Sequence, residues 1–360
     1  MTYIGAEEII SPLGQNIQEN FKSVCENRSG ISLVTEAGFN KEDIYLAKII
    51  ADAGIFKFEF LLIKILQNLS AQIDPSCISS DKTIVIISST KGDLDRNIAD
   101  PFEPSLSAIV QKFKLANQPI VVSNACISGV LAINAANNYI ESGFYEHAIV
   151  IGCDVISDFV LFGFQSLFAV SAEPCAPFDK NRNGISLGEG CSAVVLSKTK
   201  EIFKNAPLAL LSGTSANDAN HISGPSRTGE GLYRTVKKTL EQNDISADSI
   251  DFISAHGTAT VFNDEMEAIA FDRLGMSTVP LNSLKGYFGH TLGAAGVIET
   301  AISMQMMRND LLVKSLGYSE PGTSNSLNIT TENQSSEINT ILKTASGFGG
   351  CNASLVLRKL

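Results

Sequence analysis

The sequence predicts an α/β fold in which one strand-and-helix unit is used twice, and three observations carry that expectation. Continuous β-branched runs, above all Thr83–Ser88 (TIVIIS) and Ala148–Asp154, read as strands buried on both faces. They alternate with stretches of helical spacing, which implies mostly parallel sheets covered by helices. The second half, starting near Pro207, also replays the first: GEGCSAVVLS at 188–197 is echoed by GGCNASLVLR at 349–358. A repeat at so long a period marks a duplicated domain and not a solenoid, with halves expected at 1–205 and 206–360.

Taken in order, Tyr3–Ile10 alternates weakly and ends in Ser-Pro-Leu-Gly, a strand running into a turn. A helix is expected over about 16–27 and another over about 58–73, stopped by Asp74-Pro75. After Thr83–Ser88 and Gly92 comes a polar segment with Pro101 and Pro104, then a helix to about Phe113. Further strands are expected at Ile120–Val122, Ala148–Asp154 and Cys191–Ser197. In the second half NSLKGYFGHTLGAAGVIETAISMQMM (282–307) repeats the pattern of strand, small-residue turn and long helix seen at 120–143.

Composition narrows the class. The 360 residues carry a formal charge of −11, which argues against nucleic acid, since phosphate binding needs clustered Lys and Arg. The seven cysteines are scattered without a C-x-x-C pair, which favours a reducing, cytoplasmic setting over a disulfide framework or a zinc site. The N-terminus has no basic region and no long apolar core, so no secretory signal is expected. No apolar stretch is long enough to span a bilayer.

Chemistry concentrates at IVVSNACISGVLAINAANNYIESG (120–143), where Cys126 stands at a strand-to-helix hinge between small residues. Such a turn can lift a nucleophile above the sheet, and the helix start that follows favours thiolate and can stabilise an oxyanion. A buried cysteine capping a core helix is the plainer alternative. Of the four histidines, His256 and His290 both sit in glycine-rich turns after expected strands, at corresponding places in the repeat. The strand ends of both halves should meet where ligands bind in such sheets.

These residues resemble the β-ketoacyl-[acyl carrier protein] synthases of the thiolase superfamily, in their elongating, decarboxylating class. The resemblance runs through SPLG (11–14), NACISG (124–129), PFDKNRNGISLGEG (177–190), HGTAT (256–260), SLKGYFGHTLGAAG (283–296) and SGFGGCNASLVL (346–357). It implies a layered α-β-α-β-α thiolase fold and a decarboxylative Claisen condensation of an acyl thioester with malonyl-acyl carrier protein. Cys126 would carry the acyl chain, and His256 and His290 would serve decarboxylation. Lys285 and Glu267 would form the family's ion pair, and Phe348 the aromatic gate whose backbone N–H joins that of Cys126 in an oxyanion hole. Thr258, Thr260 and Ser223 would meet the pantetheine arm, and Phe164 and Ile127 the acyl pocket.

The same resemblance implies an acyl carrier protein as partner, its phosphopantetheine arm replacing any resident cofactor or metal, and a homodimer or a heterodimer with a related subunit. Arg227, Arg234, Lys237 and Lys238 are the candidate basic patch for an acidic carrier, and Asp218 to His221 with Ser223 resemble a loop at its entrance. Two departures concern fine geometry: Cys351 stands where many relatives have threonine, and Asn124 replaces a usual threonine. The connection from Gly92 to Pro119 is also short, and lacks a helical cap that lines the family's pocket. A thiolase, a cysteine hydrolase and a chain-length partner subunit remain as alternatives.

Overall fold

The computed structural model describes residues 1–50, 55–218 and 224–360. The first half supplies strands β1 (Thr2–Ile10), β2 (Thr83–Ser88), β3 (Ile120–Val122), β4 (His147–Asp154) and β5 (Gly190–Ser197). The second supplies β6 (Leu208–Asn217), β7 (Phe252–Ser254), β8 (Leu281–Asn282), β9 (Thr340–Gly347) and β10 (Cys351–Arg358). All join one ten-stranded sheet ordered β8-β7-β9-β10-β6-β1-β5-β4-β2-β3. Outward from the central β1–β6 pair, each half therefore runs first, fifth, fourth, second, third strand.

The expected mostly parallel pairing is corrected to a mixed sheet. Only β4-β2-β3 and β9-β7-β8 are parallel; the remaining neighbours are antiparallel. The cause is visible at β9–β10, where Gly349 and Gly350, both at positive φ, close a tight hairpin, whereas a parallel pair needs a long crossover.

The helices are α1 (Ile17–Cys25), α2 (Lys57–Leu69), α3 (Glu103–Phe113), α4 (Ser128–Glu141), α5 (Asp158–Ser166), α6 (Glu230–Gln242), α7 (Val261–Arg273), the single turn α8 (Lys285–Phe288) and α9 (Ala295–Asn309). Asn16 caps α1 by accepting from the Glu19 N–H. Helix α2 buries Phe58, Leu61, Leu62, Ile65, Leu66 and Leu69, one face of a helical repeat, against β1, β4 and β5. Helices α6 and α7 pair on the outside of the other half.

Helices α4 and α9 differ: both pack on strands of both halves and on each other, and α9 is buried nearly all round. The result is a stack of α2/α3, the first half of the sheet, α4/α9, the second half of the sheet and α6/α7, a thiolase-like layered α/β fold. Among the described residues, no helix is long and apolar enough to cross a membrane.

The two central helices touch backbone to backbone near their starts. A Cβ on Gly129 would lie 2.8 Å from Val297 N, and one on Gly296 would lie 2.7 Å from Val130 N. Alanine at position 296 should gain up to about 1 kcal/mol of helix propensity yet lose about 1–3 kcal/mol by overpacking. Gly296→Ala is therefore expected to lower the melting temperature measured by circular dichroism by several degrees. An unchanged melting temperature would mean that the helices part freely.

Candidate active site

Three strand ends converge on one cavity of about 460 Å³. The first is β3, which runs into the elbow carrying Cys126. Ala125 takes a left-handed φ of 45°, and Ser128 staples the turn by accepting from the Asn124 N–H at 2.7 Å and donating to the Ala125 carbonyl at 2.7 Å. The thiol is thereby aimed into the cavity just ahead of α4, and is 7% exposed.

The second is β8, which leads through α8 to Gly289, at φ 67°, and His290. The His290 N–H donates to the Ser186 carbonyl at 2.7 Å, and the Gly188 N–H donates to the His290 carbonyl at 3.0 Å. Beyond it, Asp154 accepts from the Gly293 N–H at 2.7 Å and pairs with Lys91 at 3.0 Å, both side chains buried. The third is β7, which leads to His256. Two carboxylates of α7 hold this turn: Glu267 accepts the N–H groups of His256 (3.0 Å) and Gly257 (2.7 Å), and Asp264 accepts that of Thr258 (2.9 Å).

The structure brings Cys126, His256 and His290 together. His290 Nε2 lies 3.0 Å from Cys126 Sγ, and the two imidazole centroids are 5.3 Å apart. Each ring's Nδ1 faces a donor: the Leu292 N–H at 3.2 Å for His290 and the Lys285 ammonium at 3.1 Å for His256. A neutral imidazole that accepts at Nδ1 carries its proton on Nε2. Both rings thus present Nε2–H donors to the cavity. The donor atoms of this trio lie within 4.8 Å of one another, but a metal ion needs lone pairs where these rings offer protons, and it would face the Lys285 ammonium.

Burial sets the protonation states. It holds the pKa of both histidines well below the ordinary 6.5, with Lys285 adding to the effect at each and His290 and Lys343 adding further at His256. It also pushes the Cys126 thiol up to about 12, against a partial pull from Lys285. The helix start favours thiolate, but desolvation outweighs it at this site.

The expected Lys285–Glu267 pair is also corrected. Lys285 Nζ pairs with Glu299 of α9 at 2.8 Å, because the Glu267 oxygens are taken by backbone N–H groups. Burial and the neighbouring Asp264 raise the Glu267 pKa to about 8. Glu299 also pairs with Lys343 of β9 at 2.7 Å. Neither Glu299 nor Lys343 was among the sequence candidates. The signal was there, since each is a charge inside an otherwise apolar run, AGVIETAISM and TILKTAS.

Thr258 and Thr260 line the cavity with their hydroxyls 2.8 Å apart, as do Phe164 and Phe348, whose rings are 5.4 Å apart. Phe348 is 40% exposed at the mouth. Gly347 packs its α-carbon on the elbow: a Cβ there would lie 3.2 Å from Cys126 N. Cys351 also lines the cavity, its thiol 3.2 Å from the Phe348 carbonyl. Ile127 does not: it caps α4 and turns into the central core with Val130 and Ile133, which corrects its assignment to the pocket. Asp218 lines the cavity and its N–H donates to the Gly350 carbonyl at 2.8 Å, whereas Ala219 to His221 and Ser223 lie outside the described residues. No residue between 92 and 119 contributes to the lining, since α3 packs on α2 in the outer layer.

Two family models match the chain: "Beta-ketoacyl synthase, N-terminal domain" over residues 106–201 and "Beta-ketoacyl synthase, C-terminal domain" over residues 208–319. The chain is 32% identical over 271 residues to 3-oxoacyl-[acyl-carrier-protein] synthase 2 of Rhizobium meliloti, covering 70% of this chain and 63% of that protein. It is 31% identical over 271 residues to a putative mitochondrial 3-oxoacyl-[acyl-carrier-protein] synthase of Schizosaccharomyces pombe, covering 70% and 64%. The chain thus spans 63–64% of the length of these curated relatives. Among solved structures, the ketosynthase ApeO in complex with its chain length factor ApeC from Xenorhabdus doucetiae matches with a TM-score of 0.89 and 25% identity, covering all of this chain and 98% of that one.

A thiol with a pKa of about 12 should alkylate slowly at neutral pH. Below that pKa its thiolate fraction grows about tenfold per pH unit. Iodoacetamide labelling of Cys126, followed by peptide mass spectrometry, is therefore expected to accelerate throughout pH 7–10. A plateau near pH 8 would mean that the helix start does stabilise a thiolate.

Proposed function

Because the chain belongs to the β-ketoacyl synthase family, we propose that it catalyses decarboxylative Claisen condensation of an acyl thioester with a malonyl thioester, both delivered on an acyl carrier protein. The observation that carries this reading is the cysteine thiol facing two Nε2–H donors in one cavity. In the first half-reaction Cys126 sulfur attacks the acyl carbonyl, the carrier thiolate leaves, and the proton from Cys126 ends on that thiolate. The backbone N–H groups of Cys126 and Phe348 are the donors proposed for the oxyanion.

In the second half-reaction the malonyl carboxylate departs as CO₂ and its electron pair passes to the thioester carbonyl, giving an enolate. His256 and His290 hold that enolate oxygen through Nε2–H. The enolate carbon attacks acyl-Cys126, the new C–C bond forms, and the Cys126 thiolate leaves and takes up one proton. Thr258 and Thr260, which line the cavity, are taken as the contacts of the pantetheine arm on its way to the sulfur, and the carrier's arm makes a resident cofactor unnecessary. Residues 1–205 and 206–360 are taken as the duplicated units, on the shared strand order. All seven cysteines are free, which suits a reducing cytoplasm.

Leu167 (51% exposed), Phe168 (93%) and Phe262 (76%) stand at the cavity rim. So large an apolar rim supports closure by a second chain, the same or a related subunit. Among the candidate docking residues, Arg234 pairs with Glu230 and Lys237 with Glu241, so they form a neutralised helix face. Arg227 instead lines a groove that shares Phe262 and Met266 with the cavity. We take Arg227 as the carrier contact.

Cys126→Ala should abolish acyl-enzyme formation, read as loss of the acyl adduct in the intact mass. His256→Ala and His290→Ala should still acylate but lose malonyl-carrier decarboxylation by about 10²–10³-fold, the usual cost of removing an oxyanion donor. CO₂ release at the wild-type rate from either variant would contradict the role given to that histidine. Arg227→Glu should raise KM for the carrier several-fold with kcat unchanged, more at low salt than at high salt; an unaltered KM would move the docking surface elsewhere.

A further inference from the structure

Lys343 lies in β9, the strand that ends beneath the Cys126 elbow, and is fully buried. Its Nζ donates to the Ser254 carbonyl at 3.1 Å and to the Thr344 carbonyl, and pairs with Glu299 Oε2 at 2.7 Å. Lys285 Nζ in turn meets Glu299 Oε1 at 2.8 Å, His256 Nδ1 at 3.1 Å and the His256 carbonyl. Lys285 Nζ thus has three acceptors, and Lys343 Nζ has three carbonyls, those of Ser254, Ala255 and Thr344, with Glu299 Oε2 as an ion-pair contact; both sets suit an ammonium, whereas a neutral amine has two donors and a lone pair. Burial lowers the Lys343 pKa below its ordinary value, and the Glu299 carboxylate opposes that shift while Lys285 adds to it. Two buried cations therefore share one carboxylate, and a positive charge is left uncancelled behind His256.

We propose that Lys343 is a positioning residue for the catalytic pair: by occupying the second oxygen of Glu299 it leaves the charge of Lys285 uncancelled at His256 and keeps that imidazole a neutral Nε2–H donor. The inference rests on the condensing function for its purpose but not for its test. With Lys343 removed, Glu299 would neutralise Lys285 alone, and a protonated His256 would meet less repulsion. The other groups facing His256 are Glu267 and Asp264 from α7, His290, and the Cys126 thiol; none of them is substituted in the variants below, and Glu267, whose pKa Lys343 pulls down, becomes more fully protonated when Lys343 is lost, which works against the expected rise.

The experiment follows the imidazole Cε1–H resonances of the full chain by NMR as pH is lowered from 7, in wild type, Lys343→Met and Lys343→Gln. The chain has only four histidines, so assignment by single substitution is direct. Methionine keeps the volume of the stem, and glutamine also keeps a donor for Glu299 while removing the charge. The His256 titration midpoint is expected to rise by about two pH units in both variants, the effect of a single charge several ångströms away at an effective dielectric near 20. The acid limb of malonyl decarboxylation should rise with it. An unchanged His256 midpoint in folded variants, or loss of the fold in both, would overturn the proposal and leave Lys343 a structural residue. A shifted midpoint in an enzyme that shows no decarboxylation at any pH would uphold the electrostatic role and sink the condensing function.

Discussion

The site depends on one close contact, the crossing of α4 and α9 at Gly129 and Gly296. Cys126 stands just ahead of the first helix and His290 just ahead of the second, so the approach of the two helix starts sets the distance between sulfur and imidazole. A side chain at either glycine would meet the backbone of the facing helix. Because α4 follows β3 and α9 follows β8, the outermost strand of each half reaches the shared centre through its helix. Asp154, at the end of β4, then ties the α9 approach to the first half through the Gly293 N–H. Two half-sheets become one active site by this route, although β3 and β8 lie at opposite ends of the sheet.

Within the site, a single cause acts on three groups with one outcome. Desolvation penalises the charged form of each, so it lifts the thiol and depresses the imidazoles, and all three rest neutral. The Lys285–Glu299–Lys343 cluster that remains charged behind them carries a net positive charge. Lys285 and Lys343 surround one Glu299 carboxylate, and their hydrogen bonds to backbone carbonyls offset the cost of burying them. An excess cation behind neutral donors suits intermediates that are anionic, an enolate and a tetrahedral oxyanion.

Much of this was legible in the residues. Thr83–Ser88 and Ile120–Val122 are strands because β-branched runs have little else to become, and the echo between 120–143 and 282–307 marks the two helices that pack together at the centre. The elbow at Cys126 and the histidine turns were legible as places, because small residues and glycines announce backbone that must bend. What the residues could not announce was pairing at a distance. Strand direction is misread when alternation of strands and helices is taken to mean crossovers throughout, since β9 and β10 are joined by a two-glycine hairpin. Helix α5 (DFVLFGFQS) was hidden by a composition in which apolar residues face both core and solvent. Glu267 and Glu299 are equally plausible partners for Lys285 by type, and only the backbone N–H groups that occupy Glu267 decide between them.

The protonation pattern also bears on which reaction the site favours once acylated. Water attacking an acyl-cysteine needs a general base to take its proton, and a base needs a lone pair facing the cavity. At His256 and His290 the lone pairs point away, one to Lys285 and one to the Leu292 N–H, while both Nε2 atoms carry protons. Glu267 cannot substitute, because it is spent on the backbone. Decarboxylation needs no such base: the electrons of the new carbanion come from the broken C–C bond, and the site has only to hold the negative oxygen that results. The same two N–H groups proposed to promote this step are therefore poor catalysts of hydrolysis. On the proposed function, a cysteine flanked by donors instead of bases would keep its acyl thioester for carbon nucleophiles.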